Sequence, residues 1–206
     1  MVGYTRSMAN EPAPGTILSV NVGQPRAVEV TTPDGATHTV VTGIFKSPVT
    51  DAVVVRGWGL EGDGQADTRV FHGRQVHGGE RKAVYIYPAA HYADWQRELG
   101  RKLPFGQFGE NLTVQGFLED DVRVGDLLRA GTALLRVTEP RGPCYKLDIR
   151  MDMPEFKERM RASGRTGFYT SVVEPGTITV GDAIVSVTSD AGAPTILAVH
   201  RRESVA

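Results

Sequence analysis

The sequence has little cysteine: only Cys144 stands in 206 residues. That excludes an internal disulfide and any Cys-rich zinc site, and it suits a reducing compartment. An excess of one charge is also missing, because 23 Lys+Arg against 24 Asp+Glu leave a net charge of -1. No global positive field exists to hold a nucleic-acid polymer or an anionic membrane. Long apolar runs are absent as well. Runs such as Ala52 to Val55 fall far short of the ~20 residues that a membrane helix needs. Residues 1–15 lack the apolar stretch of a signal peptide. The expectation is a cytoplasmic protein with a mobile N-terminus over 1–14 and one folded domain over 15–200.

Turn formers are plentiful, with Gly 24 and Pro 12. Between them lie short β-branched runs: Thr16–Val22, Ala27–Val30, His38–Val41, Val53–Arg56, Lys82–Tyr87, Asn111–Val114, Ala133–Thr138, Phe168–Val173, Thr177–Val180 and Ala183–Val187. Several alternate apolar and polar residues, as half-buried strands do. Thr32, Pro33, Asp34 and Gly35 predict a hairpin turn. Ile196–Val199 reads as a last strand. Two segments read as helices. Pro88–Leu99 carries Tyr92, Trp95 and Leu99 on one face, with Gly100 past its end. Met153–Ala162 starts on a capping-box pattern of Asp152 with Glu155 and stops at Gly164. The pattern is mainly β: a barrel or sandwich with short helical excursions.

Cys144 sits in Pro140-Arg141-Gly142-Pro143-Cys144-Tyr145-Lys146, a stiff loop with cations on both sides of the thiol. Nearby cations favour the thiolate, which is the nucleophile and the soft metal ligand. The same loop is compatible with an inert buried cysteine. His72, His77, Asp67 and Glu80 lack the spacing of a zinc site. His77-Gly78-Gly79 and Gly106–Asn111 are glycine-rich loops that allow a ligand close to the backbone, and Glu61-Gly62-Asp63-Gly64 is another glycine-rich turn. No phosphate-loop, dinucleotide or nucleophile-elbow pattern is present around them or around Ser171 and Ser186. Glu119-Asp120-Asp121 reads as a solvated turn. Arg165 precedes an aromatic strand, where it can face a pocket.

Taken in order, these pieces resemble a known family. They are Lys46-Ser47-Pro48-Val49, Gly59-Leu60-Glu61-Gly62-Asp63 with Gln65-Ala66-Asp67, Val76-His77-Gly78-Gly79 with Ala83-Val84-Tyr85, Phe108-Gly109-Glu110-Asn111-Leu112, Gly125-Asp126, Pro140–Leu147, Gly164–Tyr169 and Gly181-Asp182. The set, over about residues 15–187, is similar to the MOSC domain, and most of all to stand-alone bacterial proteins that confer resistance to N-hydroxylated purines. The resemblance implies a MOSC-type β-barrel with two or more short helices. It implies the molybdenum cofactor (a pyranopterin with a phosphate and a dithiolene-held molybdenum), with Cys144 as metal ligand and catalytic residue. It assigns Lys46 to the phosphate and Asn111 to the cofactor, and places Ser47, His77, Gly78 and Gly79 at the site. Arg141, Lys146 and Arg165 supply local cations. Lys46 is read as a flexible point charge whose removal costs little stability.

The implied activity is reduction of N-hydroxylated small molecules, such as N-hydroxylated bases, with electrons from a separate reductase. Two other implications are a sulfur carrier working through a Cys144 persulfide and a non-catalytic protein that stores or delivers the cofactor. The chain departs from the family in two places. The span between Asp63 and His77 is several residues longer, around Phe71–Gln75, which is expected to reshape the mouth of the site. The chain also stops short of the small helical domain that usually follows the barrel.

Overall fold

The structure is a computed structural model that describes residues 14–32, 34–64, 70–71, 74–75 and 78–203. Its strands are β1 (Gly15–Val22), β2 (Arg26–Thr31), β3 (Thr37–Thr42), β4 (Ser47–Val49), β5 (Val53–Arg56), β6 (Gly59–Leu60), β7 (Val70–Phe71) and β8 (Arg74–Gln75). They continue with β9 (Val84–Pro88), β10 (Leu112–Gln115), β11 (Leu127–Ala130), β12 (Ala133–Pro140), β13 (Phe168–Glu174), β14 (Gly176–Ile178) and β15 (Ala183–Thr188). The helices are α1 (Ala90–Leu99), α2 (Tyr145–Met151), α3 (Phe156–Ser163) and α4 (Ile196–Glu203).

Seven strands close a barrel in the order β10-β9-β13-β12-β11-β15-β1, and β1 pairs back onto β10. β4 adds to the outer side of β1. All barrel pairings are antiparallel except β9 with β10. A parallel pair needs a long crossover, and α1 lies within it. The predicted hairpin forms: β2 pairs with β3 from Arg26↔Thr42 to Thr31↔Thr37.

β9 explains how the barrel carries a site. Its sequence Val-Tyr-Ile-Tyr-Pro is buried at every position. Successive side chains point to opposite faces. Val84 and Ile86 enter the barrel core with Ile17, Leu112, Leu135 and Phe168. Tyr85 and Tyr87 join a second cluster with Tyr92, Trp95, Phe108, Leu147, Phe156 and Met160. That cluster packs α1, α2 and α3 against the outer face of the barrel. Trp95 Nε1 donates to the Tyr87 hydroxyl at 2.9 Å, so its polar edge is satisfied inside the cluster.

Several boundaries correct the sequence reading. The span over Met153–Ala162 begins as a helix only at Phe156. Glu155 takes left-handed geometry and makes no capping-box bond. Asp152 instead ends α2, whose carbonyls at Asp148 and Ile149 accept its N–H. α2 occupies residues read as the far end of a stiff loop. Ile196–Val199 is helical, not a strand: Ala198 N–H donates to Thr195 Oγ1 at 3.1 Å, and the turn continues to Glu203. Pro88 is the last residue of β9, so α1 starts two residues later. Gly100 does end α1, in left-handed geometry. Glu119 is buried, not solvated: it accepts from Gly167 N–H at 2.6 Å and pairs with His91 Nε2 at 2.7 Å.

Candidate active site

β12 ends at Pro140, where the chain leaves the barrel toward α2. Arg141 N–H donates to Gly167 O at 3.2 Å, which pins the departing loop to the start of β13. Gly167 has a φ of 67°, and a Cβ there would lie 2.5 Å from Ile86 O, so only glycine fits this junction. Pro143 then leads into Cys144, which holds extended geometry as the residue before α2. Cys144 O accepts from Leu147 N–H at 2.9 Å. The thiol is therefore presented by a fixed turn, half-buried, at the mouth of a cleft.

That cleft opens to solvent. Cys144, Arg141 and Lys146 line it from the loop and α2, Lys46 and Asn111 from the side of β4 and β10, and Tyr85, Phe108 and Tyr169 as aromatic walls. Main chain at Gly43, Gly78 and Gly109 completes it. Gly109 has a φ of 79°, and a Cβ there would meet Ile44 Cγ1 at 2.8 Å. Beyond Cys144 lies a second, neighbouring cleft. It shares Lys82, Arg141, Cys144 and Tyr169 with the first and adds Glu139, Pro140, Gly142 and Glu203. Glu203 closes α4, so the C-terminal helix reaches the site.

The charges inside are arranged, not scattered. Arg141 is buried, donates to Tyr169 and lies 5.6 Å over the ring of Tyr85. Burial works against its charge, but Tyr85, Tyr169 and Cys144 outweigh burial and hold its proton more firmly than in a free arginine. Burial pushes the phenols of Tyr85 and Tyr169 upward, with Arg141 pulling the other way, so both keep their hydroxyl protons. The Tyr85 hydroxyl donates to Thr166 O at 2.6 Å.

Lys46 is not the flexible surface charge read from the sequence. It is 5% exposed and forms an ion pair with Asp63, itself 6% exposed. Asp63 Oδ2 also accepts from Asn111 Nδ2 at 2.8 Å, and Asp63 Oδ1 accepts from Gly23 N–H at 3.0 Å. Asn111 Oδ1 accepts from Tyr85 N–H at 3.0 Å. Burial holds the pKa of Lys46 below that of a free lysine, and Asp63 and Glu110 offset only part of that effect. Glu110, behind the cleft, is fully buried. Burial raises its pKa, against hydrogen bonds from Tyr92, Gly106 N–H and Thr113.

Six of the residues singled out by sequence thus line one cleft: Cys144, Lys46, Gly78, Asn111, Arg141 and Lys146. Ser47 is exposed on β4 and Gly79 precedes the 3-10 turn over Glu80–Lys82; neither lines it. Arg165 is elsewhere: its guanidinium stacks 3.8 Å over Trp95 and pairs with Glu98 at 2.7 Å. His77 lies outside the described residues, as do His72, Asp67 and Pro33. Among the described residues no group of three His, Cys, Asp or Glu side chains is placed to hold a metal ion. No helix among them is long and apolar enough to cross a membrane. The motif pieces contain Asp63, Tyr85 and Tyr169 but give them no role at the site, and Lys82 and Glu203 carry no sequence signal for it. Asp63 stood in the Glu61–Gly64 turn, but nothing local said that it would meet Lys46.

The model of the MOSC domain matches residues 73–185. This chain belongs to the MOSC domain family. The match runs from residue 73 through the Cys144 loop into β15. The protein YflK of Bacillus subtilis (strain 168) is 41% identical over 166 residues, covering 81% of this chain and 70% of that protein. The protein YiiM of Escherichia coli (strain K12) is 37% identical over 140 residues, 66% of this chain and 60% of its own length. A protein of Gibberella moniliformis named "Reductase" is 33% identical over 181 residues, yet this chain spans only 30% of it. The crystal structure of YiiM from Geobacillus stearothermophilus superimposes with a TM-score of 0.72 at 35% identity, over 92% of this chain and 84% of that one. The seven-stranded barrel is therefore the fold of this MOSC protein.

Proposed function

We propose that the protein binds the molybdenum cofactor and reduces N-hydroxylated small molecules, with Cys144 as the thiolate ligand of the metal. One observation carries the reading: a cysteine, buried cations, aromatic walls and glycine main chain share a single cleft. That donor set suits the cofactor. Sulfur is a soft ligand for a thiophilic metal. Arg141, Lys146 and Lys46 offset the negative charge of a dithiolene and a phosphate. The backbone at Gly78 and Gly109 can approach the edge of the cofactor's planar ring.

When bound, the cofactor supplies the two-electron redox chemistry. The chain's own residues orient and balance charge. Cys144 would hold the metal from a turn fixed by Pro143 and α2. Substrate would approach from the second cleft, whose lining includes the carboxylates of Glu139 and Glu203, while Arg141 stays protonated near the thiol. In the net reaction the N–O bond breaks. Two electrons and two protons enter, and the amine and one water leave. A separate reductase supplies the electrons, and the reducing cytoplasm is the setting. The fungal relative named "Reductase" supports the class of chemistry and nothing finer.

The test uses protein purified from a host that makes the cofactor, with a chemical reductant and an N-hydroxylated base. Loaded protein is expected to release the free amine with each turnover. Loaded protein that turns over no N-hydroxylated base overturns the reductase reading. A persulfide on Cys144, found by mass spectrometry in such protein, favours sulfur transfer instead.

A further inference from the structure

The carboxylate of Asp63 gathers donors from three separate segments. Oδ1 receives Gly23 N–H, at the turn after β1. Oδ2 receives the Lys46 ammonium, from the loop before β4, and Asn111 Nδ2, from the start of β10. Lys46 and Asn111 line the cleft, yet both have a donor committed to Asp63. Asn111 is held further by Tyr85 N–H on its oxygen and by a longer contact to Asn21 O at 3.4 Å. We infer that Asp63 is the positioning residue of the cofactor cleft, holding Lys46 ionised and Asn111 oriented so that the cleft can take an anionic, phosphate-bearing ligand.

The reasoning is electrostatic. An ammonium this deeply buried is unstable without a counter-charge, and burial alone neutralises a lysine. Among the described residues, the charged and titratable groups around Lys46 are few. Asp63 touches it, and Glu110 lies behind it. Arg150 donates to the Lys46 carbonyl at 3.4 Å, while Lys82, Arg141, Lys146, Tyr85, Tyr169 and Cys144 line the same cleft. Glu110 already receives Tyr92, Gly106 N–H, Phe108 N–H and Thr113, so Asp63 is the carboxylate that meets the ammonium directly. Two outcomes of removing its charge have opposite sign. If Asp63 merely repelled an incoming anion, its loss would tighten anion binding. If Asp63 keeps Lys46 charged, its loss lets Lys46 shed its proton and weakens anion binding as pH rises.

The inference rests on the cofactor reading of the cleft, so its test uses cofactor-free protein and pyrophosphate as the probe. Lys46 is followed by NMR of its labelled Cε, and pyrophosphate affinity by calorimetry, in wild type and Asp63→Asn across neutral to mildly alkaline pH. Lys46 is expected to titrate at lower pH in Asp63→Asn. Pyrophosphate affinity is expected to match wild type on the acid side and fall about tenfold or more on the alkaline side, one decade per unit of titration shift. An unchanged Lys46 titration, or equal or tighter alkaline binding in the variant, overturns the inference. Should Asp63→Asn not fold, Lys46→Met/Asp63→Leu carries the test, because it leaves no lone buried charge. It is expected to bind pyrophosphate weakly and without alkaline loss. Wild-type strength in that variant overturns the inference. Wild-type protein that takes up neither cofactor nor pyrophosphate overturns the functional reading instead, and the Lys46 titration still decides the role of Asp63.

Discussion

Asn111 Nδ2 lies 2.8 Å from Asp63 Oδ2, the oxygen that also receives the Lys46 ammonium. Two cleft residues are thus coupled through one buried carboxylate, and changing either one disturbs the other. This coupling separates the polar floor of the cleft from its chemical edge at Cys144, which the Pro143 loop and the start of α2 present beside Arg141.

Lys46→Ala is expected to lower stability as well as cofactor retention. It leaves the Asp63 carboxylate buried, with Asn111 and Gly23 N–H but no cation. Breaking a buried pair in this way costs about 3–5 kcal/mol. Chemical denaturation of cofactor-free protein measures it. A loss below about 1 kcal/mol, the scale of an exposed pair, would show that the ion pair is not buried in solution.

Cys144→Ser is expected to leave the fold intact and abolish turnover. Cys144 is half-buried and is aimed by the main chain, so the cavity cost is about 1 kcal/mol or less. The hydroxyl remains protonated and is a harder, poorer ligand for a thiophilic metal. The expected pattern is near-normal melting, partial pterin content and no reductase activity. Full turnover in the serine variant would remove Cys144 from the chemistry.

Stability should fall steeply in alkali. Burial raises the pKa of Tyr85, Tyr87 and Tyr92 well above the ordinary value of 10.0, and raises that of Tyr169 as well. The folded state then holds more protons than the unfolded state once pH passes 10.0. Stability is fully present below that pH and is lost as pH rises further. Spectroscopic titration should therefore show four of the six tyrosines refusing to ionise until the protein unfolds. Ionisation of all six in folded protein would contradict the burial of the outer aromatic cluster.

Glu119→Ala is expected to cost about 2 kcal/mol, since it strips a charged acceptor from Gly167 N–H and His91 in a buried setting. Because Gly167 O in turn receives Arg141 N–H, cofactor content should fall in the same variant. A change of a few tenths of a kcal/mol would return Glu119 to a solvated turn.

The barrel was legible because its strands alternate. Thr16–Val22, Ala133–Thr138 and Phe168–Val173 all become barrel strands within a residue or two at their ends. Ser47–Val49 and Leu127–Ala130 are short and were not read as strands. Helices were harder, for identifiable reasons. Ile196–Val199 is a short apolar run, which periodicity alone cannot assign, and the deciding signal was the Thr195 cap. α2 hid behind two prolines, although Leu147 and Met151 stand at helical spacing and both are buried. In the site, the Cys144 loop announced itself through its own residues. Asp63 did not, because its partners Gly23, Lys46 and Asn111 come from distant stretches of chain and meet only when β1, β4 and β10 are paired. Arg165 was assigned to the site for its charge, but the exposed Glu98 and the Trp95 ring hold it on α1.

The central claim is that the cleft beside Cys144 holds a molybdenum cofactor. The most direct measurement is metal and pterin analysis of the protein purified from a host that makes the cofactor. Molybdenum and pterin close to one per chain are the result predicted. Protein that stays free of both, with Cys144 intact and the fold confirmed, would contradict it.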